Sequence, residues 1–433
     1  MSNQVAEVSS KYLAEAASNA DLIGYKQTEV GVIPEDWNCR SLGDLCSLKS
    51  GLGITSKNID GNSEYRCYGG NGLRGYTKQF THEGEYALIG RQGALCGNIQ
   101  HVTGKFFASE HALVATPNKG VNSKWLAIYL ERMNLNQYSE SSAQPGLSAE
   151  KLRILNLIAP TSQEQTAIAN ALSDVDALIS ELEKLIAKKQ AIKTATMQQL
   201  LTGRTRLPQF ALREDGTPKG IKPSELGEIP EDWEVGAIGD SCRTYSGGTP
   251  STSNKNFYGG GIKWITSSDL NQGVIHDVAG RITDAGLNGS SAKLVEGHTL
   301  LIALYGATAG VCAITRISAA INQAVLAIVP AEHNSEYLFY WFTRHKEVII
   351  ETYTQGGQPN LSGDIVRSIK LAFPPVNEQT AIATILSDMD AEIQALEQRL
   401  GKTRHIKQGM MQELLTGKTR LVQPSLTGVC YAD

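Results

Sequence analysis

The chain has 433 residues, of which 41% are hydrophobic and 19% are charged, and its formal net charge is −4 at pH 7. This composition is typical of a globular protein with two or more domains, and no apolar run approaches the ~18 residues that a membrane span requires. The opening residues MSNQVAEVSS lack the basic and apolar regions of a signal peptide, so we expect a cytoplasmic protein. Seven scattered cysteines without a C-x-x-C pair indicate reduced thiols rather than a disulfide or zinc framework.

Several phrases occur twice along the chain. After an N-terminal extension over residues 1–24, YKQTEVGVIPEDW from Tyr25 returns as IKPSELGEIPEDW from Ile221, 196 positions later. EQTAIA, LSDVDA and LLTGRTRL in the first half match EQTAIA, LSDMDA and LLTGKTRL in the second half, each 214 positions later. The chain is therefore one unit written twice, with about 18 more residues inside the second copy.

The interior of each copy predicts a mixed α/β domain. Residues 25–160 and 227–374 are rich in Gly, Ser, Thr and Asn, and contain apolar runs such as EYALIG and TLLIALYG that are typical of short strands. Lys and Arg outnumber Asp and Glu by 13 to 9 in residues 38–160, whereas the count is 10 to 11 in residues 234–373. If DNA is the partner, its phosphates must be neutralised by local patches or by another subunit.

A long helix follows each interior, within residues 161–207 and 375–421. Thr161 and Glu164 have the spacing of a capping box at the start of the first helix. Apolar residues recur in steps of three and four, which predicts a narrow seam consisting of Ile168, Leu172, Val175, Ile179, Leu182 and Ile186, and in the second helix of Ile382, Leu386, Met389, Ile393, Leu396 and Leu400. Further seam residues are expected beyond Lys189 and Thr403: Ile192, Leu200, Ile406, Met410 and Leu414.

So narrow an apolar seam requires another long helix to pack against it. The obvious partner for each helix is its duplicate in the other copy. The alternative is a helix pair that only completes a globular core. Each helix should end at Gly203 or Gly417, with Arg or Lys following near the negative helix end. Residues 208–226 are rich in proline and glycine and form a linker, and residues 422–433 form a C-terminal tail.

The phrases G-x-IPEDW, EQ-x-x-IA-x-x-LSD-x-D and LLTG[RK]TRL, in this order and twice, resemble the specificity subunit of type I restriction-modification systems. The resemblance covers residues 25–421. It implies two target recognition domains, each reading one half of a bipartite DNA sequence, joined by two long antiparallel coiled-coil helices with pseudo-twofold symmetry. It also implies that the helices set the gap between the half-sites and dock two adenine-N6 methyltransferase subunits, which would use S-adenosylmethionine. Nuclease/translocase subunits would join for cleavage.

Direct readout of DNA requires Arg or Lys for guanine, Asn or Gln for adenine, and small polar groups for phosphates. In the first domain, a glycine-rich loop and the IGRQGA segment supply the candidates Arg66, Tyr68, Asn71, Arg74, Tyr76, Lys78, Arg91 and Gln92. In the second domain, a polar loop and the residues after Trp264 supply Thr249, Ser251, Thr252, Ser253, Asn254, Lys255, Ser267, Ser268 and Asp269. Trp264 and a lone histidine such as His111 are expected to be structural. Gln144 and Gln358, in repeated Q-P-x-L-S phrases, are expected to belong to the framework.

The sequence contains no [DN]-P-P-[YF] methyltransferase motif, complete phosphate-binding loop or metal-binding histidine pair. We therefore expect a non-catalytic DNA-recognition subunit with no cofactor or metal of its own. Two alternatives stay open on the residues alone. One is a coiled-coil scaffold whose two globular domains bind proteins, and the other is an enzyme with unrecognised catalytic residues.

Overall fold

The computed structural model describes residues 24–93, 95–139, 146–353 and 360–422. Gln144, Gln358, Cys430, nearly all of the N-terminal extension and nearly all of the C-terminal tail lie outside the described residues.

The chain forms two compact units. The first contains residues 1–182 and 399–433, and the second contains residues 183–398. Both boundaries fall within long helices, so each unit consists of one α/β domain and part of each helix.

The first unit has short paired strands around a six-stranded sheet of order β4-β9-β7-β8-β5-β6. Its strands are β1 Tyr25–Thr28, β2 Gly31–Pro34, β3 Asn38–Ser41, β4 Cys46–Ser50, β5 Tyr65–Gly69, β6 Gly72–Thr77, β7 His82–Gly90, β8 Ile99–Ala108, β9 Ala112–Pro117 and β10 Asn156–Ala159. Its helices are α1 Leu42–Leu45, α2 Ser123–Arg132, α3 Ala149–Arg153, the first part of α4 Ser162–Leu200 and the last part of the second long helix, α10 Val376–Leu414. The apolar run of β9 is buried on both faces because α2 covers the sheet, with Trp125 and Leu126 fully buried.

The second unit repeats this plan with a larger insertion after its first long strand. Its strands are β11 Ile221–Ser224, β12 Gly227–Pro230, β13 Glu234–Ala237, β14 Cys242–Ser246, β15 Tyr258–Ile265, β16 Val274–Ile275, β17 Arg281–Ile282, β18 Lys293–Val295, β19 Leu300–Ala303, β20 Cys312–Thr315, β21 Ala319–Ile321, β22 Val325–Pro330 and β23 Lys370–Phe373. Its helices are the last part of α4, α5 Pro208–Ala211, α6 Ile238–Ser241, α7 Asp284–Asn288, α8 Ser335–Tyr353, α9 Gly363–Ser368 and most of α10 Val376–Leu414.

The strand order reveals the internal repeat. The order β14-β22-β19-β20 in the second unit corresponds to β4-β9-β7-β8 in the first, and the hairpin β11–β12 corresponds to β1–β2. In the second unit, β15, β17, β18 and β21 form a separate four-stranded sheet of order β17-β15-β21-β18. The predicted fold class, two mixed α/β domains with two long helices, is confirmed.

The helices run antiparallel within each unit. In the second unit, Lys189 binds Glu392 at 2.7 Å and Lys193 binds Asp390. Residue numbers therefore increase along one helix while those of their partners decrease along the other. In the first unit, Lys407 binds Asp176 at 2.7 Å. Lys193–Asp390 and Lys407–Asp176 are the same pair in the two copies.

Most of the predicted seam is buried or half-buried, including Ile168, Leu172, Leu182 and Ile186 in α4. In α10, Ile382, Leu386 and Ile393 are buried, whereas Met389, Leu396 and Leu400 are half-buried, as are Val175 and Ile179 in α4.

The extension of the seam to Ile192 and Ile406 is wrong, because these side chains are 42% and 53% exposed. Ile192 lies six residues after Ile186, which puts it well off the 3.6-residue phase of the seam. Lys189 and Lys193 occupy the seam positions in the second unit, with their stems half-buried and their charges paired across the helices.

The predicted capping box at Thr161 is only half formed. The hydroxyl of Thr161 accepts a hydrogen bond from the backbone N–H of Glu164, at 3.3 Å. The Glu164 side chain does not reach back, because it binds Arg420 and Trp37 instead. At the other end, Gly203 and Gly417 follow the helices with φ of +69° and +75°, as the prediction of a glycine terminator requires.

A four-residue cluster, which we call the frame clasp, joins three of the repeated phrases in each unit. In the first unit it consists of Asp36, Trp37, Glu164 and Arg420, and in the second of Asp232, Trp233, Glu378 and Arg206. Arg206 Nε and Nη2 each lie 2.6 Å from a Glu378 oxygen, and the Trp233 indole N–H donates to the same carboxylate at 3.1 Å. The arginine of LTG[RK]TRL thus connects the end of one copy to IPEDW of the other.

A buried glutamine beside each clasp ties the long helix to the domain. The amide nitrogen of Gln165 donates to the carbonyl of Pro160 at 2.9 Å, and its oxygen accepts from the backbone N–H of Asn122. Gln379 makes the same two bonds, to Pro374 and from Asn334. Because Asn122 caps the N-terminus of α2, one glutamine sets the position of α2 relative to α4.

Six cysteines lie in the described residues and carry free thiols. Within the same residues, every helix is too short or too polar to cross a membrane.

Candidate DNA interface

Three loops meet at one edge of the domain in the first unit. We call them loop A (residues 51–55, after β4), loop B (residues 91–98, after β7) and loop C (residues 109–111, before β9). Loop A is held by a backbone bond from Leu52 N–H to the carbonyl of Ala108, at 2.9 Å. Loop B is held by Arg91, whose N–H donates to the carbonyl of His111 at 3.0 Å and whose carbonyl accepts from Leu147 N–H at 2.9 Å.

The same three loops meet in the second unit, at residues 247–254, 304–311 and 322–324. Gly248 N–H donates to the carbonyl of Ile321 at 3.1 Å, and Leu304 N–H donates to Ala324 at 2.8 Å. Leu361 N–H in turn donates to the carbonyl of Leu304 at 2.7 Å. These bonds match those of the first unit: the loop A donors Leu52 and Gly248 are 196 positions apart, and the other partners are 213 or 214 positions apart, close to the two offsets of the repeated phrases.

Glycine makes the close approach of loop A to the sheet feasible in both units. A Cβ on Gly51 would lie 2.2 Å from the carbonyl oxygen of Ala108, and a Cβ on Gly247 would lie 1.8 Å from that of Ile321. Any larger residue would push loop A away from loop C.

The repeated Q-P-x-L-S phrase also reaches this place. Gly146 pairs with Gln92 in the first unit, and Asn360 pairs with Tyr305 in the second. Leu147 and Leu361, the leucines of the phrase, are buried and supply the backbone bonds to loop B. The described part of the phrase is therefore framework for the loops, whereas Gln144 and Gln358 themselves lie outside the described residues.

The structure corrects the predicted glycine-rich loop of the first domain. Residues 65–77 form the antiparallel strands β5 and β6, and only Gly70 and Asn71 turn between them. Arg66, Asn71, Arg74 and Lys78 are exposed on this hairpin, and Tyr76 is half-buried. Tyr68 is buried against Phe106, with ring centroids 5.9 Å apart, so its ring belongs to the core and cannot stack on DNA.

Arg91 and Gln92 lie together on loop B. Arg91 is half-buried, and its Nη1 donates to the hydroxyl of Ser50 at 2.5 Å. Gln92 is exposed, and its Oε1 lies 2.7 Å from Nδ1 of His111 on loop C.

The candidates of the second domain lie on loop A and at a turn after β15. Ser251, Thr252, Ser253 and Lys255 are exposed, whereas Thr249 and Asn254 are half-buried. The Oδ1 of Asn254 caps the short 3-10 helix Lys255–Phe257, a structural task.

Of the candidates after Trp264, Asp269 is engaged in hydrogen bonds of the local turn. The carboxylate of Asp269 accepts hydrogen bonds from the backbone N–H and hydroxyl of Thr266, at 2.8 and 2.7 Å. Ser268 is exposed and Ser267 is half-buried. Trp264 packs against Tyr258 in an apolar cluster, as expected for a structural residue.

Four side chains at the loops were missed on the sequence: Glu110, His111, Tyr305 and Gln323. The backbone N–H of Ile54 donates to Glu110, whose other oxygen lies 3.2 Å from Nε2 of His111. Tyr305 donates from its hydroxyl to the carbonyl of Gln323 at 2.9 Å, and Thr249 donates to the Gln323 side chain. The sequence does contain a signal for the two loops: GALCGN, which follows Gln92, faintly matches GATAGV, which follows Tyr305.

The sequence pattern of a known family, described as "Type I restriction modification DNA specificity domain", matches residues 34–194 and 230–403. These two segments cover most of the chain. This chain belongs to that DNA specificity family.

Individual members of the family resemble the chain to different extents. The type I restriction enzyme EcoprrI specificity subunit from Escherichia coli is 41% identical over 174 residues, which span 39% of this chain and only 42% of that subunit. The putative MjaX specificity subunit from Methanocaldococcus jannaschii is 27% identical over 92% of this chain and 97% of that subunit. The crystal structure of the type I S subunit from M. genitalium has a similar fold, with a TM-score of 0.60 at 18% identity over 87% of this chain and 96% of that one.

Family membership favours the DNA-specificity interpretation over a protein-binding scaffold. The two matched segments end within the long helices, at residues 194 and 403, so each includes one domain and most of the helix that follows it.

Proposed function

We propose that this chain selects the DNA target of a type I restriction-modification complex, with each α/β domain reading one half of a bipartite sequence. The observation that carries the proposal is the recurrence of one loop framework in both units with different side chains on it. Backbone hydrogen bonds hold the loops, so side chains can differ between the domains without changing the framework. Two domains that read the same bases would have no reason to diverge at these loops.

The first domain offers the stronger basic surface. Arg66, Arg74 and Lys78 are exposed along the hairpin β5–β6, whose turn lies beside loops B and C because Gly70 approaches the carbonyls of His111 and Gln92. Cations at this edge can contact phosphates while loop B reaches base edges. The domain as a whole is only slightly basic, so further neutralisation has to come from partner subunits.

The partners in this proposal are two adenine-N6 methyltransferase subunits docked on the long helices, with nuclease/translocase subunits joining for cleavage. Apolar side chains remain exposed on the helix pair in each unit: Leu178 and Ile406 in the first, and Leu185 and Ile192 in the second. Such residues fit contact with a partner helix better than contact with water. S-adenosylmethionine would be bound by the methyltransferase subunits, the chain itself being a non-catalytic, cytoplasmic recognition subunit.

The test is a map of N6-methyladenine in cells that express this chain with the methyltransferase subunit of the same system. We expect a motif of two short defined halves around a fixed gap, absent from cells that lack this chain. Methylation that is identical with and without the chain, in the presence of folded methyltransferase, would refute the proposal and favour the protein-binding scaffold.

A further inference from the structure

Loop B carries an exposed side chain at an equivalent position in both units. In the first unit this residue is Gln92, which bridges to Gly146, and in the second it is Tyr305, which bridges to Asn360. Both follow a residue whose backbone N–H is bound to loop C and whose carbonyl is bound by the leucine of Q-P-x-L-S. The two positions are therefore equivalent in the framework, although one holds an amide and the other an aromatic ring.

Each of these side chains is oriented by loop C. The Oε1 of Gln92 is 2.7 Å from His111 Nδ1, while Nε2 of the same imidazole is 3.2 Å from Glu110, which is itself held by the N–H of Ile54. This chain of contacts crosses all three loops and leaves the amide nitrogen of Gln92 without a bond to the loops. An exposed glutamine would otherwise sample several rotamers, so the contacts reduce the entropy lost when it binds.

Tyr305 is oriented by a different set of hydrogen bonds. It is 41% exposed, and its hydroxyl donates to the carbonyl of Gln323, the residue that corresponds to Glu110. Thr249 on loop A donates to the Gln323 side chain, so the second unit also links its three loops through one residue of loop C. The hydroxyl is thereby engaged, and the ring is the part of Tyr305 that stays available.

A purely structural role does not explain these arrangements. The backbone bonds already close the framework, and exposed Gln92 fills no space in the core. A side chain that is exposed, polar and held in one orientation beside a basic hairpin matches what base readout requires.

We infer that Gln92 and Tyr305 are equivalent base-reading residues, one for each half of the DNA target, and that His111 is a positioning residue for Gln92. This inference rests on the proposed function. Gln92 presents its amide nitrogen as a donor, which suits a base edge with an exposed acceptor such as a purine N7 or a thymine O4. Tyr305 presents its ring, which suits apolar contact with a base rather than a hydrogen-bonded pair.

The experiment uses the full chain assembled with its methyltransferase subunits. The wild-type motif is first taken from the methylation map, and binding is then selected from two DNA pools, each with one half randomised and the other kept. We expect Gln92→Ala to lower discrimination at one or two base positions in one half only, by roughly tenfold. Tyr305→Ala should do the same in the other half, and Tyr305→Phe, which keeps the ring, should retain most of the preference.

Two further variants address the chemistry. Gln92→Glu replaces donors by acceptors, so the preferred base at the affected position should change to adenine or cytosine, which offer an amino group. His111→Ala should weaken discrimination at the position that Gln92→Ala affects and leave the other half unchanged.

Gln27→Ala is the matched control, because Gln27 is also an exposed glutamine but lies on the hairpin β1–β2. The base preferences of the Gln27→Ala complex should equal those of the wild type. The inference would be overturned if Gln92→Ala had the base preferences of the wild type, or if it lost discrimination equally at every position of both halves. In either case, a bipartite wild-type motif would still support the proposed function. Thermal unfolding of each complex verifies that the variants are folded. Absence of any bipartite motif for the wild type would refute the proposed function instead.

Discussion

The guanidinium of Arg420 binds the fully buried carboxylate of Glu164, with Nε and Nη2 each 2.7 Å from one of its oxygens. The same guanidinium binds Asp36 through Nη1 and Nη2, at 3.0 and 2.8 Å, and lies 5.5 Å from the ring of Trp37. Hydrogen bonding to Glu164 raises the pKa of Arg420 further above its already high ordinary value. A buried carboxylate is tolerated here because each of its oxygens has a charged or N–H partner.

Removing the arginine should therefore strongly destabilise the first unit. Arg420→Ala leaves Glu164 buried without its cation, and we expect a loss of about 3–5 kcal/mol of unfolding free energy, measured in urea. Lys418→Ala in the same phrase is the control, because Lys418 is exposed, and should change stability by less than about 0.5 kcal/mol.

A double substitution distinguishes the stability that the Arg420–Glu164 ion pair contributes from the penalty of leaving Glu164 buried without a cation. Arg420→Met combined with Glu164→Gln removes both charges, so it should be less destabilising than Arg420→Ala alone. A double variant at least as unstable as Arg420→Ala would show that the loss does not come from the unpaired carboxylate.

The clasp also shows where reasoning from sequence stops. The repeats, the two helices and their glycine ends were predictable because periodicity and capping are local properties of the chain. The clasp joins residues from Asp36 to Arg420, and no local pattern indicates that Glu164 serves a distant arginine rather than its own capping box. The hint in the sequence was that all three charged residues recur in the second copy, as Asp232, Glu378 and Arg206.

The candidate interface was predictable to a smaller extent. Exposed Arg74 and Gln92 were found by residue type, but their neighbours Glu110 and His111 were not, since they belong to a loop brought close only by the sheet order. Tyr305 was missed because an aromatic residue beside apolar strands is usually core.

The clasp of the second unit should make stability depend on pH. Burial alone would raise the pKa of Asp232, but hydrogen bonds from Arg206 and Lys219 outweigh burial and lower that pKa to about 2. A lowered pKa stabilises the fold above the ordinary value of 3.8, and the contribution is lost as the pH falls towards 2. Asp232→Asn should cost about 1–2 kcal/mol at pH 6 after allowance for solvent screening.

The measurement is urea unfolding of the wild type and Asp232→Asn from pH 6 to pH 3. The difference between the two should be constant down to about pH 4 and should narrow below it. A difference that widens as the pH falls would contradict the assigned direction of the pKa shift.

The glycine after α10 should resist substitution more than the glycines within it. Gly417 has a φ of +75°, and a Cβ there would lie 2.5 Å from the Pro34 ring, so Gly417→Ala should destabilise the first unit by about 1–3 kcal/mol. Gly409 lies inside the helix with open space around its Cβ position, and Gly409→Ala should be stabilising by about 0.5–1 kcal/mol. Thermal unfolding of the two variants should therefore give shifts of opposite sign.

The cross-helix ion pair of the first unit should be detectable by charge reversal. Lys407 is 22% exposed and binds Asp176 at 2.7 Å, so Lys407→Glu places two carboxylates together and should cost about 1 kcal/mol. Adding Asp176→Lys restores opposite charges and should recover most of that loss, to a degree that diminishes at high salt. Failure of the second substitution to recover stability would mean that the pair contributes little to the packing of the helices.

Arg74 tests the basic hairpin independently of loop B. It is exposed on β6 beside the turn at Gly70 and Asn71, in the domain with the excess of Lys and Arg. Arg74→Ala should weaken binding to DNA through one half-site only. If Arg74 contacts a base, the loss should be about 1–3 kcal/mol of binding free energy. If Arg74 contacts a phosphate, the binding constant of the variant should depend less steeply on salt concentration. Binding is measured on DNA altered in either half at two salt concentrations. Equal losses on both altered DNAs would exclude Arg74 from the reading surface, and Lys105→Ala, another exposed cation of the same domain, serves as the control for net charge.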